Sequence, residues 1–208
     1  MMPDFDHARE VRCVMEGIDA GPFTSILQGG FIVKCRTGRT IEDLLTQDFG
    51  ITGEYLERRL STVFLEGQCV DDIGAAVART GATLALSSAM PGLAGATLRR
   101  KGALSSMRGS ITHHENSRPA DVVADGFITL KLFNVLSGEL GPIFLARGIY
   151  VKASELADLL TMRGGAFRRG CTRVMMDGRP VDPETFLNSL GDCGSGLVRL
   201  VGSRSEPG

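Results

Sequence analysis

One short pattern occurs twice in this chain and constrains what the chain can fold into. Residues 62–71 read TVFLEGQCVD, and residues 173–182 read RVMMDGRPVD. Each segment begins with an apolar run. An acidic residue and a glycine follow, then two variable residues, and then Val-Asp. The two glycines, Gly67 and Gly178, are 111 residues apart (178 − 67), about half of the 208-residue chain. Because internal repetition marks equivalent structural units, the pattern predicts two related units.

The two halves also predict a similar order of elements. Short apolar runs are typical of strands, and in chain order they lie at 31–35, 62–65, 81–86, 127–133, 174–176 and 197–201. A helix is expected after the first run of each half. Thr40, with Asp43 three residues later, would cap the first of these helices, and Ser154 would cap the second. Gly138–Gly141 and the residues around Gly164 are expected to be turns or loops. Acid-Gly pairs between apolar runs are typical of tight hairpins in many proteins. Chance mimicry therefore stays open beside duplication, which we favour.

The second half resembles the β-grasp sulfur carriers, a family that includes the small subunit of molybdopterin synthase and the thiamine sulfur carrier. The resemblance covers about residues 126–202 and rests on 128–133, 154–160, 174–181 and 191–192. These segments would be the first strand, the helix, the central hairpin and the turn into the last strand. The family's sulfur chemistry needs a C-terminal Gly-Gly, whereas this sequence ends in Glu-Pro-Gly. The resemblance therefore implies the fold and not the sulfur chemistry.

We thus predict an α+β protein built from two β-grasp-like units, a divergent tandem duplication. The expected order is an N-terminal lead-in (1–30), a first unit (31–104), a linker (105–125), a second unit (126–202) and a tail (203–208).

The composition bounds the kind of partner. Lys and Arg number 23 against 24 Asp and Glu, and a protein that binds nucleic acid mainly by neutralising phosphates is usually more basic. No apolar stretch approaches the roughly 20 residues that span a bilayer, and the first residues lack a secretory pattern. Five dispersed cysteines without a CxxC favour reduced thiols. We expect a cytoplasmic protein with no membrane association and no cofactor.

The most unusual segment lies at 87–98, where small residues surround Met90, Pro91, Gly92 and Leu93. If it is exposed, it forms an apolar patch suited to a protein partner or to a second copy of the chain. If it is buried, it is a strand that ends in a loop covering the core. The sequence leaves both interpretations open.

Two arginine clusters are candidate anion sites. Arg99 and Arg100 follow the 87–98 segment, while Arg168 and Arg169 lie in the glycine-rich stretch 163–173. Glycines beside arginines allow backbone N–H groups and guanidinium groups to approach a phosphate. Neither cluster matches a P-loop or GxGxxG motif, and a solvated face is the simpler interpretation.

His113 and His114 form the densest group of metal-ligating side chains in the sequence. Zinc needs three or four ligands, and no third ligand stands at a recognisable spacing, so a solvated polar loop is the simpler interpretation. Cys69 and Cys171 each lie in a context that could activate a thiol, next to a turn or to arginines. Burial of an inert thiol is the simpler expectation for both.

The leading functional hypothesis is a non-catalytic protein-binding or adaptor protein. It would use sheet edges and residues 87–98 to hold a protein partner or another copy of itself. One alternative is an enzyme or cofactor-handling protein with a cleft near His113, His114 and Arg99. A further alternative is RNA binding through a loop at 163–173.

Overall fold

The computed structural model describes residues 3–89, 92–100, 102–103, 112–113, 122–182, 186, 189–190 and 196–204, without the side chains of residues 94, 163, 166 and 168. Within these ranges the protein is mixed α/β. Its strands are β1 Arg9–Met15, β2 Phe31–Thr37, β3 Arg39–Thr40, β4 Thr62–Leu65, β5 Gln68–Cys69, β6 Val77–Ala78, β7 Thr83–Ser87, β8 Ala124–Phe133, β9 Ile149–Lys152, β10 Arg173–Met176, β11 Arg179–Val181 and β12 Leu197–Arg204. Its α-helices are α1 Thr24–Gly29, α2 Ile41–Asp43, α3 Gly53–Arg59, α4 Gly92–Leu98, α5 Val135–Arg147 and α6 Ala153–Gly170.

The chain forms two compact units. The first unit combines Met1–Phe31 with Ser137–Gly208, and the second is Ile32–Leu136. A 3-10 turn, Gly21–Phe23, precedes α1, and a π-helical turn, Leu44–Asp48, continues α2. No helix within the described ranges is both long enough and apolar enough to cross a membrane.

The first unit has the strand order β11-β10-β1-β12-β9. Strand β1 is parallel to β12 and antiparallel to β10, and β12 is antiparallel to β9. Along β1, Val11, Cys13 and Met15 are buried and alternate with partly exposed residues, as expected for a strand with one face on the core. The N-terminal residues therefore supply a central strand of this unit.

Aromatic side chains fill the core of the first unit. Phe31 and Phe144 lie with ring centroids 5.4 Å apart, and Phe167 contacts Phe23 edge-on at 5.9 Å and stacks on Phe186 at 6.3 Å. All five rings are buried. Aromatic pairs at such distances stabilise a core beyond the area they bury.

The second unit has the strand order β2-β8-β7-β4-β5. Strands β7 and β8 are parallel, with Leu84 opposite Leu130, and β4 is antiparallel to β7. A separate two-stranded sheet pairs β3 with β6. Each unit thus has a parallel pair of strands, β1–β12 or β7–β8. Beside each pair lie an antiparallel strand and its hairpin partner, β10 and β11 or β4 and β5.

The repeated acid-Gly motif forms a two-residue hairpin at both places, which confirms the expectation of tight hairpins there. Glu66 and Gly67 join β4 to β5 with φ angles of 50° and 76°, and Asp177 and Gly178 join β10 to β11 with 49° and 77°. A two-residue hairpin with positive φ at both positions matches the right-handed twist of its strands. Asp177 additionally accepts a hydrogen bond from Arg9 Nε at 2.8 Å, which ties its hairpin to β1.

The two predicted helix caps have different outcomes. Thr40 accepts a hydrogen bond from the backbone N–H of Asp43 at 3.1 Å, which confirms the first cap. The prediction for Ser154 is wrong, because α6 already begins at Ala153 and no side chain caps it. Strand β9 runs directly into α6, so the helix start is set by the end of the strand.

The turn predicted at Gly138–Gly141 is also wrong, because these residues lie inside α5. The reason is visible at Gly141, where an added Cβ would come within 2.7 Å of both Ala20 and Leu27. The missing side chain lets α5 approach the segment around α1 closely. Tertiary packing here outweighs the low helix propensity of glycine.

Candidate functional site

The carboxyl ends of β7 and β8 meet at one edge of the second unit's sheet. The strands are parallel and in register up to the pair Ser87 and Phe133. Asn134 follows with a φ of 56° and donates from Nδ2 to Ser87 Oγ at 3.0 Å. Because asparagine tolerates the left-handed conformation, it turns the chain sharply after Phe133 while fastening it to β7.

Helix α4 lies at this same edge. It begins five residues after Ser87, and just beyond it the backbone N–H of Arg100 donates to Ser61 O at 2.8 Å. Ser61 in turn donates its backbone N–H to Ser87 O at 3.1 Å. The C-terminal end of the helix is therefore held near the last residue of β7.

Three large apolar side chains are exposed at this edge. Leu93 on α4 is 70% exposed, and Phe133 at the end of β8 and Val135 at the start of α5 are also exposed. We call Leu93, Phe133 and Val135 the apolar edge surface. Isolated apolar side chains are common on protein surfaces, whereas several at one edge indicate a place where another surface packs.

The predicted partner-binding residues can now be placed. Gly92 and Leu93 are exposed at the start of α4, while Met90 and Pro91 lie outside the described residues. Ser87 and Ser88 are buried, so exposure within 87–98 begins after the strand. Sequence reasoning missed Phe133 and Val135, although an asparagine at the end of an alternating strand was a usable sign of a turn.

Arg100 lies within electrostatic reach of three acidic side chains. Burial lowers its pKa, and Glu42, Asp71 and Asp72 oppose that shift by their negative charge. Its Nε is buried and has no hydrogen-bond partner among the described residues. Arg99 is exposed beside it. Anion binding by the two arginines stays a prediction, and the neighbouring carboxylates favour a structural role for Arg100.

His113 lies beside the edge strand β5. Its backbone N–H donates to Cys69 O at 2.7 Å, and Thr112 forms a parallel bridge with Cys69. Within the described ranges, no three metal-ligating side chains come together. His114 lies outside those ranges, so the metal-site prediction stays a prediction.

The loop predicted at 163–173 is wrong for most of its length, because α6 continues to Gly170. Phe167, buried between Phe23 and Phe186, anchors this part of the helix to the core despite the glycines at 164 and 165. Arg169 is exposed on the helix, and the side chain of Arg168 is not described. RNA binding here stays a prediction, but its surface would be a helix face.

The thiols in the described ranges are buried at Cys13, Cys35, Cys69 and Cys171. Cys13 on β1 forms a side-chain hydrogen bond with Cys171, which lies just before β10. This hydrogen bond and burial raise the pKa of the Cys13 thiol. Because the thiolate is the reactive species, this environment opposes a nucleophilic role for Cys13.

We expect Cys13 to resist N-ethylmaleimide in the native protein and to react once the protein is unfolded. The rate would be read from the Cys13 peptide by mass spectrometry. A Ser25→Cys variant supplies an exposed thiol of the same unit as a control. Labelling of native Cys13 at the rate of that exposed thiol would contradict the prediction.

Comparisons of the chain with protein-family models, with curated proteins and with solved structures each returned no match.

Proposed function

We propose that the chain is a non-catalytic protein-binding protein that uses the apolar edge surface to hold its partner. The observation that carries the proposal is the exposure of Leu93 on a helix whose C-terminal end is held at the sheet edge. Burying a leucine side chain contributes roughly 1.5–3 kcal/mol. That stabilisation is largely unused in the chain alone and is available to a partner.

The neighbouring groups strengthen the proposal. Phe133 and Val135 flank the left-handed Asn134, whose side chain is fastened to Ser87. Their backbone positions are therefore set before a partner arrives, and little conformational entropy is lost on binding. A few apolar anchors at the centre of an interface commonly supply most of its binding energy.

The scaffold for this role would be two divergent β-grasp-like copies. The proposal is supported by the matching five-strand orders of the two units and by the same two-residue hairpin in each. In these copies, β2 would be the first strand of the first and β8 the first strand of the second. Strand β8, however, belongs to the same compact unit as β2 and β7.

A photocrosslinking amino acid at position 93 tests the proposed surface. We expect p-benzoylphenylalanine in place of Leu93 to give a defined adduct in cells that naturally produce the chain, because a partner would cover this position. The same group in place of Glu54, a largely exposed residue of α3 in the same unit, is the matched control. The adduct from position 93 should disappear when Phe133→Glu and Val135→Glu are added.

The mass of the adduct distinguishes the occupants. A mass of twice the chain identifies a second copy, and any other defined mass identifies a different protein. No adduct at position 93, or equal adducts at positions 93 and 54, would refute the proposed surface. A Leu93→Glu variant should change the free energy of unfolding by less than about 0.5 kcal/mol, as for other exposed sites, so a loss of binding would not reflect unfolding.

A further inference from the structure

A groove runs between α1 and α6 in the first unit. Its volume is about 400 Å³, within the range of roughly 300–1,000 Å³ typical of ligand sites. Ile26 of α1 and Leu159 of α6 line it and are almost fully buried. The floor is therefore apolar.

One wall of the groove is a stripe along α6. Glu155, Asp158 and Met162 follow one another at spacings of three and four residues, which place side chains on one helix face. All three line the groove, and Met162 is 83% exposed at its rim. An exposed methionine is flexible and polarisable, and such side chains adapt to varied apolar partners.

The charged residues that line the groove, among the side chains that the structure describes, are both acidic: Glu155 and Asp158. Glu155 is partly compensated by Lys152, whose Nζ lies 3.4 Å from Glu155 Oε1. The Asp158 side chain is exposed, and no hydrogen bond or ion pair joins its carboxylate to any described residue. An uncompensated carboxylate beside an apolar floor complements a ligand that carries an apolar group next to a positive charge.

We propose that this groove binds a basic amphipathic peptide segment of a protein partner. An apolar side chain of the segment would lie on Ile26 and Leu159 and contact Met162, and a lysine or arginine would donate to Asp158. The length of α1, six residues or about 9 Å at 1.5 Å per residue, accommodates one to two turns of a helical segment. This is the arrangement of a helix in a groove.

The openness of the site favours a peptide over a small molecule. Pockets for small molecules usually bury most of the ligand's surface, whereas Met162 and both carboxylates here stand exposed on the rim. A peptide backbone can run along such a rim and place only selected side chains inside. The groove belongs to the first unit, so the inference is independent of the apolar edge surface in the second.

Gly29 offers a way to close the groove without disturbing the core. It lines the groove at the end of α1, and a Cβ added there would meet no atom within 4 Å. Its φ is not in the left-handed region, so a larger residue is compatible with the backbone. Gly29→Leu therefore fills the groove, and non-glycine residues also favour helix.

The test measures peptide binding by fluorescence anisotropy with the full chain. The probe is a fluorescein-labelled peptide of leucine and lysine at amphipathic helical spacing, and its twin carries glutamate in place of lysine. We expect the lysine peptide to bind, more weakly as salt is raised, and the glutamate twin not to bind. Gly29→Leu and Asp158→Lys should each weaken binding by at least about tenfold, the factor that corresponds to 1.4 kcal/mol.

Controls separate this site from general charge effects. Glu57→Lys makes the same charge change on an exposed position of α3 in the second unit and should leave the affinity within about twofold, since that charge lies outside the groove. Equal binding of the two peptides, or equal losses in Asp158→Lys and Glu57→Lys, would overturn the proposal. So would binding of octylammonium at the groove without binding of the lysine peptide, because the site would then take a small cation. If Gly29→Leu fails to fold, the comparison of Asp158→Lys with Glu57→Lys still decides.

Discussion

Replacing Phe144 with alanine is expected to lower the free energy of unfolding by about 3–5 kcal/mol, the usual cost of truncating a buried phenylalanine. Phe144 is fully buried in the first unit and its ring lies 5.4 Å from that of Phe31. Truncation removes apolar surface and leaves a cavity that the rigid α5 backbone cannot fill. Because whole domains are stable by only about 5–15 kcal/mol, the variant should unfold at a much lower urea concentration.

The neighbouring residue on the same helix is the control. Ile143 is exposed, and Ile143→Ala should change the free energy of unfolding by less than about 0.5 kcal/mol. Both variants would be followed by circular dichroism during urea denaturation. Similar midpoints for the two variants would show that α5 does not bury the face described here.

Replacing Asp48 with alanine is expected to lower the free energy of unfolding by about 3 kcal/mol, at the lower end for breaking a buried ion pair. Asp48 Oδ1 accepts a hydrogen bond from Arg39 at 2.9 Å, and Oδ2 accepts one from the backbone N–H of Arg36 at 2.6 Å. The two side chains of the pair are only 9% and 19% exposed. The variant would leave the Arg39 guanidinium poorly hydrated beside an unmatched backbone donor.

An exposed ion pair in the same unit is the control for the effect of Asp48→Ala. Glu54 and Arg58 lie 2.9 Å apart on α3, with about three quarters of each side chain exposed. Glu54→Ala should cost no more than about 0.5 kcal/mol, because water and salt screen such pairs. A double-mutant cycle of Asp48→Ala with Arg39→Ala should give a clear coupling energy. Equal losses in Asp48→Ala and Glu54→Ala would contradict the buried position of Asp48.

The part of the fold that sequence predicted best is the part determined locally. The hairpins at Glu66-Gly67 and Asp177-Gly178 need positive φ at two adjacent residues, and the Thr40 cap needs one side chain and one backbone N–H three residues on. Glycine was a poor guide to structure where tertiary packing determines the backbone conformation. Gly141 reads as a turn but lies inside α5, because its small size permits contact with Ala20 and Leu27.

The candidate sites divide in the same way. Composition drew attention to Gly92 and Leu93, because a stretch of small residues around a leucine is unusual. Nothing in the sequence placed Phe133 and Val135 at the same sheet edge, since that depends on β7 and β8 being parallel and in register. The groove of α1 and α6 was not predicted either. Its stripe of Glu155, Asp158 and Met162 has helical spacing, but the apolar floor needs Ile26, more than a hundred residues earlier.

The sequence by itself determined the two hairpins, because a two-residue turn is specified by the residues within it. Only the tertiary structure decided which strands share a sheet. Strand β1 pairs with β10 and β12 across most of the chain's length, and β8 pairs with β7 across the residues between 87 and 124. Alternating apolar residues specify which face of a strand is buried but not which strand lies beside it. That choice depends on burying both partners together after a long loop has closed.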